Sequence, residues 1–308
     1  MGATTVIRER SKAESKSLDF RVVVAFLAIY IIWGTSFLGI RIVVLELPPL
    51  FSAGIRFFVA GAVLYAFMHF RGRTRPTARQ WRSLAILGLL LFVAEYGPLF
   101  WAEKYVPSGI ASVLEATLPL ITMALETWVF RRYRFHWSVL GAILLGFCGV
   151  SVLLFHNGAE QFGLLPCIAI LAGATTWSLG SVLSRSLDLP ESKALTSGAA
   201  MLLGGGVLLA LSAVFGELHP FPHVSMRAGM ALLYLIVFPS LVGFTAFVWL
   251  LARMPATRVA SHAYVNPVVA VALGYFAAGE AITERTLAGT VLVLASVVLI
   301  LRKQKAAA

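Results

Sequence analysis

Long runs of apolar residues dominate the chain, and short polar segments separate them. A run of about 18 or more apolar residues predicts a membrane-crossing helix, because a helix rises about 1.5 Å per residue and the hydrocarbon layer is about 30 Å thick. The alternating pattern of a membrane barrel is absent. Ten spans are predicted, at roughly 22–44, 49–70, 83–102, 107–128, 136–154, 162–184, 195–215, 228–251, 258–279 and 285–301.

Composition supports this membrane assignment. Hydrophobic residues make up 59% of the chain and charged residues only 13%, which is too little charge to cover a soluble domain of 308 residues. The first 21 residues are polar and lack the small-residue cleavage site of a signal peptide. We therefore expect a cytoplasmic segment at 1–21 and a cytoplasmic tail at 302–308.

The basic residues are distributed unevenly between the two predicted membrane faces. The chain carries a formal charge of +11, and twenty of its 25 Lys and Arg residues fall in segments on one side. Only Arg41, Lys104, Arg227 and Arg285 fall on the other side. This positive-inside pattern predicts cytoplasmic termini, so the positive charge indicates topology rather than nucleic-acid binding. An even number of spans also argues against a seven-span receptor.

Weak internal similarity divides the ten spans into two sets of five. Most aligned positions stand 148 residues apart. The pairs are 107–119 with 255–267 (each Pro-x11-Pro around an Ala-Ser pair), Trp101 with Trp249, Gly141 with Gly289 and, near the start of each half, Trp33-Gly34 with Trp177-Ser178.

The expected fold class is therefore an all-α integral membrane protein with ten transmembrane helices. The two repeats occupy 22–154 and 162–301. Because five is odd, the second copy enters the membrane in the opposite direction, as in many secondary transporters. The inverted repeats would surround a central cavity near mid-membrane and alternate between outward-open and inward-open states.

Several motifs resemble the EamA-like branch of the drug/metabolite transporter superfamily. They are Trp33-Gly34-Thr35-Ser36-Phe37, Arg56-Phe57, the proline-bounded stretch 107–119 and Gly279-Glu280-Ala281-Ile282-Thr283. The first repeat departs from the pattern, because Phe130-Arg131-Arg132 stands where a Gly-Glu signature is expected. The resemblance implies ten helices, with the third, fourth, eighth and ninth around the cavity. It also implies transport of small metabolites, often export, and the amino-acid exporters are the branch most suggested.

Four ionisable residues stand out inside predicted spans, where a charge costs about 2.5–3.5 kcal/mol. Arg56, Glu95 and Glu115 lie roughly 10–12 Å from the outer end of their spans, and His262 lies near an inner end. Arg56 could bind a carboxylate with its planar fork, and a Glu could accept an ammonium group. One carboxyl could instead carry a proton, since burial disfavours the charged form. Alternatively, Arg56 and a Glu form an ion pair that only joins helices.

Further cavity candidates are aromatic or polar, and four prolines mark helices that can bend. The full substrate-binding set is Trp33, Arg56, Glu95, Tyr96, Trp101, Glu115, Trp177, Trp249, His262, Tyr264 and Asn266. Trp101 and Trp249 could gate the two entrances or belong to the interfacial aromatic belts. The hinge candidates are Pro98, Pro119, Pro239 and Pro267.

These observations favour a secondary transporter, and the expected substrates are amino acids, including aromatic or neutral ones. An exporter of cationic or aromatic drugs is the alternative, since two Glu oppose one Arg. An intramembrane enzyme is disfavoured because its usual motifs are absent, and short loops disfavour a scaffold or sensor. No catalytic residue, cofactor or metal site is expected, and Cys148 and Cys167 are expected to pack in the spans. The partners are a small-molecule substrate and the lipid bilayer of a bacterial inner membrane, with protons left open.

Overall fold

The computed structural model describes residues 20–72, 75–131, 137–154, 163–219, 223–251, 253, 259 and 262–307, and all regular structure in these ranges is helical. We label the helices α1 to α10 in chain order. They are α1 Phe20–Val44, α2 Pro49–Phe70, α3 Ala78–Ala102, α4 Ser108–Val129, α5 Trp137–Leu154, α6 Leu164–Leu183, α7 Lys193–Val214, α8 in the pieces Met226–Leu235, Ile236–Gly243 and Phe244–Leu251, α9 His262–Ala278 and α10 Glu284–Ala307.

The all-helical prediction is confirmed. Within the described residues, seven helices are long and apolar enough to cross a membrane, namely α1 to α4 and α6 to α8. The fifth and ninth predicted spans contain the shorter apolar helices Leu140–Val152 and Val265–Ala278. The tenth predicted span lies within α10. The arrangement of all ten as inverted repeats stays a prediction.

Three helices change their winding within the membrane. The π-helical segments Leu89–Val93 in α3, Leu125–Val129 in α4 and Ile236–Gly243 in α8 interrupt the ordinary hydrogen-bond ladder. Turns at 94–95 and 116–117 also divide α3 and α4. Such segments free backbone carbonyls and commonly occur at functional sites. Spans 3, 4 and 8, where we expected hinges, are therefore irregular.

The predicted hinge prolines lie close to these irregularities. Pro98 and Pro119 stand in the first turn after the breaks in α3 and α4, where a missing N–H costs least. Pro239 lies inside the π-helical segment of α8, and Pro267 lies inside α9. Whether the helices bend at these prolines during transport stays a prediction.

Helices α2 and α7 approach each other so closely that only glycine fits at the contact. A Cβ atom on Gly61 would lie 2.3 Å from the Leu202 nitrogen, and one on Gly205 would lie 2.3 Å from the Phe58 nitrogen. Small residues let helix backbones meet in lipid, where no hydrophobic force between helices drives association. The glycines thus fix α2, and with it Arg56, against α7.

Three glutamates cap helix N-termini from other helices. Glu46 follows α1 and accepts hydrogen bonds from Ser225 N (2.9 Å) and Oγ (2.8 Å) before α8. Glu217 follows α7 and accepts from Leu50 N (3.3 Å) and Phe51 N (2.9 Å) in α2. A carboxylate satisfies the free N–H groups of a first turn and complements the helix dipole. The Ser225 hydrogen bonds hold the pKa of Glu46 below its ordinary value.

The third cap explains the Gly-Glu signature. Glu280 accepts hydrogen bonds from Ser108 N (2.8 Å), Ser108 Oγ (2.8 Å) and Gly109 N (3.0 Å), all at the start of α4. Gly279 has a φ of 68°, which turns the chain after α9 and aims Glu280 back at α4. This cap fixes the N-terminal end of α4, the helix that carries Glu115.

The first repeat keeps the turn but not the glycine. Arg131 has a φ of 51° and stands 148 residues before Gly279, the same offset that relates the two halves in sequence. A non-glycine residue rarely adopts this left-handed conformation. The two positions therefore share a left-handed φ, although arginine stands at one and glycine at the other.

Candidate functional site

A cavity of about 110 Å³ lies among α1, α2, α3, α4, α6, α8 and α9. The structure brings eight of the eleven predicted site residues to its wall. They are Trp33, Arg56, Glu95, Tyr96, Glu115, Trp177, His262 and Asn266. The hinge candidate Pro267 also lines it.

Of the remaining three candidates, Trp101 and Trp249 do not line the cavity. The Trp101 ring packs edge-on against Tyr105, with centroids 5.4 Å apart, at the end of α3. The Trp249 ring is covered by the Arg253 guanidinium at 4.0 Å. The side chain of Tyr264 lies outside the described residues. A gating role for the two tryptophans has no support from the cavity wall.

Arg56 reaches the cavity from α2 and is only 2% exposed. Its Nε donates to Ser240 Oγ (3.0 Å), and Ser240 Oγ donates to the Leu235 carbonyl (3.0 Å) within the irregular part of α8. Its guanidinium also stacks near the rings of Phe57 (4.7 Å) and Tyr96 (5.2 Å). One edge of the guanidinium is therefore fixed.

Nη1 of this guanidinium has no hydrogen-bond partner among the described residues. Among the described residues, the structure shows the ion pairs Arg185–Glu126 (2.8 Å) and Arg79–Asp188 (3.6 Å). Arg56 takes part in neither. The alternative in which Arg56 only joins helices through an ion pair is not supported, and a fixed guanidinium with a free N–H suits an anionic ligand group.

Two buried carboxyls face each other in the same cavity. Glu95 stands at the turn within α3, and Glu115 ends the first part of α4; they are 3% and 7% exposed. The two side chains are close enough to hydrogen bond when one carries a proton. Oε2 of Glu95 and Oε1 of Glu115 have no hydrogen-bond partner in the described structure. Two carboxyls this close can share one proton, and their free oxygens can accept from a cationic ligand.

Space for Glu95 comes from a glycine on the neighbouring helix. A Cβ atom on Gly173 of α6 would lie 3.0 Å from Glu95 Oε2 and 3.1 Å from the Glu95 carbonyl oxygen. Any larger residue at this position would press on the carboxyl. Gly173 thus allows α6 to close over a polar group without a competing side chain.

Aromatic rings form much of the cavity wall. Trp33 donates from Nε1 to the Pro239 carbonyl (3.1 Å), a carbonyl in the irregular part of α8. Its ring meets His262 edge-on at 4.9 Å. Elsewhere in the wall, Tyr96 meets Trp177 edge-on at 6.1 Å. These rings can enclose the apolar part of a small ligand and leave its charged ends to Arg56 and the carboxyls.

Asn266 connects the first turns of α9 to α1. In the amide orientation that satisfies its hydrogen bonds, the Asn266 side-chain nitrogen donates to the carbonyls of Tyr30 (3.2 Å) and His262 (3.2 Å). The expected polar side chain beside Pro267 is therefore engaged with backbone and also lines the cavity. Within the described residues, no cluster of three or more His, Cys, Asp or Glu side chains could hold a metal ion.

Sequence reasoning missed some residues that contribute to the site. Ser240 fixes Arg56 but is a plain serine in an apolar run, and only its position after Pro239 hinted at a role. Phe247 and Ser112 line the cavity and resemble ordinary packing residues in the sequence. Glu103, which does not line the cavity, was also overlooked, because charges at span ends are common; its side chain is nevertheless fully buried.

Comparison with known proteins gives the same general assignment as these observations. The EamA-like transporter family matches the chain twice, over residues 20–155 and 164–302. A solved crystal structure superposes with a TM-score of 0.63 at 20% identity, covering 90% of this chain and 95% of its own, which supports the fold.

Full-length relatives are transporters by name. The inner membrane transporter YedA of Escherichia coli K12, itself uncharacterised, is 37% identical over 282 residues, covering 91% of this chain and 90% of its own. A probable amino-acid metabolite efflux pump of Salmonella typhimurium is 28% identical, with 87% and 91% coverage. The transporter YoaV of Bacillus subtilis is 23% identical, with 89% and 94% coverage. With two family matches that together span nearly the whole sequence, this chain belongs to the EamA-like transporter family.

Proposed function

We propose that this transporter is a secondary exporter of amino acids or closely related zwitterionic metabolites, working by alternating access. The observation that carries the substrate class is that Arg56, whose Nη1 has no partner in the described structure, lines one cavity with the carboxyls of Glu95 and Glu115. A substrate carboxylate would bind Arg56, and its ammonium group would bind the carboxyl pair. The name of the Salmonella typhimurium relative is consistent with this class.

The charge of the carboxyl pair distinguishes the two substrate classes. If Glu95 and Glu115 share one proton, their single negative charge balances Arg56, and the neutral cavity suits a zwitterion. If both are ionised, the cavity is net negative and suits a cation. The second candidate function is therefore export of cationic aromatic compounds, which the rings of Trp33 and Trp177 would stack against.

Ten spans in two inverted repeats would supply the alternating access. The tandem family matches support this arrangement. The left-handed corners at Arg131 and Gly279 stand 148 residues apart, and the π-helical segments Leu89–Val93 and Ile236–Gly243 overlap at the same offset. Under this proposal, both termini lie on the cytoplasmic side of a bacterial inner membrane, and the protein performs no catalysis.

Counterflow in proteoliposomes tests the proposal. Purified protein is reconstituted, loaded with an unlabelled compound and supplied outside with trace labelled neutral amino acids, aromatic amino acids or aromatic cations in turn. Exchange of a zwitterion, saturable and competed by other amino acids, supports the first candidate. Exchange of cations alone supports the second. Absence of exchange for every compound overturns the transporter proposal for these substrates.

Glu115→Gln tests the ammonium end of the site. We expect the counterflow rate at low substrate concentration to fall at least about tenfold, because a hydrogen bond to a charged group contributes about 1.5–3 kcal/mol. Glu191→Gln, the same change at an exposed position, is the control and should exchange normally. Unchanged exchange by the Glu115 variant would remove that residue from the site.

A further inference from the structure

Glu103 is a fully buried carboxylate that the proposed binding site does not use. It stands directly after α3, its side chain is 0% exposed, and neither of its oxygens has a hydrogen-bond partner within the described residues. Arg41 on α1 donates to the backbone carbonyl of Glu103 rather than to its carboxyl group. No capping or ion-pair role in the described structure accounts for this side chain.

The charged groups around Glu103 come from four elements. Arg56 on α2 and Glu115 on α4 lie on its cavity side, and Arg41 on α1 and Glu280 before α10 are its other charged neighbours. Glu280 also caps the end of α4 that we predict to face outward. Glu103 is therefore positioned between the cavity and the predicted outer face.

Because the Glu103 side chain is buried without a partner, its protonated form is favoured over the ionised form. An isolated carboxylate loses its hydration on burial, and the loss is large unless the group is paired or protonated. Glu280 differs, because all three of its hydrogen bonds come from donors and favour the ionised form. Among these outer acids, Glu103 is thus the group suited to exchange a proton.

We propose that Glu103 is a proton-exchange station between outer water and the Glu95–Glu115 pair, and that it couples substrate movement to protons. This inference rests on the proposed function and adds the coupling ion to it. In one transfer, the Glu103 carboxylate takes a proton from outer water and passes it to Glu115 or Glu95. Glu103 is left ionised until the next proton arrives. Where the gap exceeds a hydrogen bond, a water molecule would bridge it.

The proposal predicts that coupling and exchange can be separated. Counterflow needs no net proton movement, whereas accumulation driven by an imposed pH gradient does. Glu103→Gln keeps the shape and the backbone contact to Arg41 but cannot titrate. We expect this variant to retain counterflow and to lose accumulation driven by the pH gradient, and we expect Glu103→Asp to regain part of it. Glu217→Gln, the same change at a helix cap, is the matched control and should retain both activities.

Each outcome has a distinct meaning. Gradient-driven accumulation by Glu103→Gln equal to that of the native protein overturns the proton station. Loss of counterflow in a folded Glu103→Gln protein also overturns it, because Glu103 would then belong to substrate binding. No counterflow by the native protein refutes the proposed function instead. Accumulation that follows a sodium gradient but not a pH gradient would also contradict the inference.

A measurement on the native protein covers the case in which Glu103→Gln does not fold. Hydrophobic carbodiimides react with protonated carboxyls, so labelling followed by peptide mass spectrometry reports which acids hold a proton. We expect modification of Glu103 at neutral pH and none of Glu280, whose oxygens accept hydrogen bonds. Glu103 remaining unmodified, while Glu115 reacts, would overturn the inference.

Discussion

The guanidinium N–H groups of Arg56 have different surroundings. Nε is bound to Ser240, which fixes the plane of the guanidinium, and Nη1 has no partner in the described structure. A planar fork can serve both directions at once, whereas a lysine ammonium is a point charge on a flexible stem. The position therefore needs arginine for its geometry and not only for its charge.

Arg56→Lys should weaken substrate binding more than maximal rate. We expect the KM for counterflow to rise about tenfold, equivalent to about 1.4 kcal/mol, because one ammonium cannot both bind Ser240 and meet a substrate carboxylate. The concentration dependence of initial exchange rates measures this. Arg253→Lys, where the guanidinium covers Trp249 away from the cavity, is the control. An unchanged KM for Arg56→Lys would show that the fork does not contact substrate.

The sequence allowed much of this site to be predicted at the residue scale. Arg56, Glu95 and Glu115 were identified because a charge in a predicted span needs a partner or a function, and all three line one cavity. The absence of an ion pair to Arg56 could not be foreseen, since pairing depends on which sides of three helices face each other. Glu103 escaped notice because the sequence does not show how deeply a span end is buried.

At the scale of helices, glycines allow close packing between helices, and glutamates cap helix N-termini. Gly61 and Gly205 allow α2 and α7 to touch backbone to backbone in the apolar layer. Glu46, Glu217 and Glu280 bind the first turns of α8, α2 and α4, whose N–H groups have no partner within their own helix. Each cap joins two different helices, so the caps stabilise helix positions as well as helix ends.

Adjacent glycines in α7 offer a matched test of close packing. A Cβ on Gly205 would lie 2.3 Å from the Phe58 nitrogen, whereas one on Gly206 meets only ring atoms of Phe58, at 3.8 Å or more. We expect Gly205→Ala to destabilise the protein by about 1–3 kcal/mol, because backbone cannot move aside as a side chain can. Thermal unfolding in detergent should show a lower Tm for Gly205→Ala than for Gly206→Ala. Equal Tm values would contradict the packing.

At the scale of the whole molecule, an arginine at the end of α1 and another after α6 each bind a residue of a neighbouring segment. Arg41 near the end of α1 binds the Glu103 carbonyl, and Arg185 after α6 pairs with Glu126 of α4 at 2.8 Å. The two arginines stand 144 residues apart, the offset that also relates Trp33 to Trp177. In the proposed topology the two arginines lie at opposite membrane faces. Each arginine contact would therefore keep the cavity closed at its own face.

Glu126→Gln should favour opening toward the cytoplasm. The ion pair to Arg185 would be lost, and labelling from that side of a cysteine introduced at Ser112, on the cavity wall, should rise roughly two- to fivefold, as expected for a pair with one exposed partner. Cys148 and Cys167 would first be replaced. Asp188→Asn, which breaks the more exposed pair with Arg79, is the control. Equal labelling in all variants would show that Arg185–Glu126 does not hold the entrance.

The sequence by itself determined the helical membrane character, the family, and the acids and arginine that need an explanation, because these follow from local hydrophobicity and from the cost of charge in lipid. Only the tertiary structure decided which of them meet. Helix rotation and irregular winding placed Arg56 against Ser240, Glu95 near Glu115 and Glu280 on α4. These contacts join residues far apart in the chain, and their geometry depends on packing between helices, which a single sequence pattern does not encode.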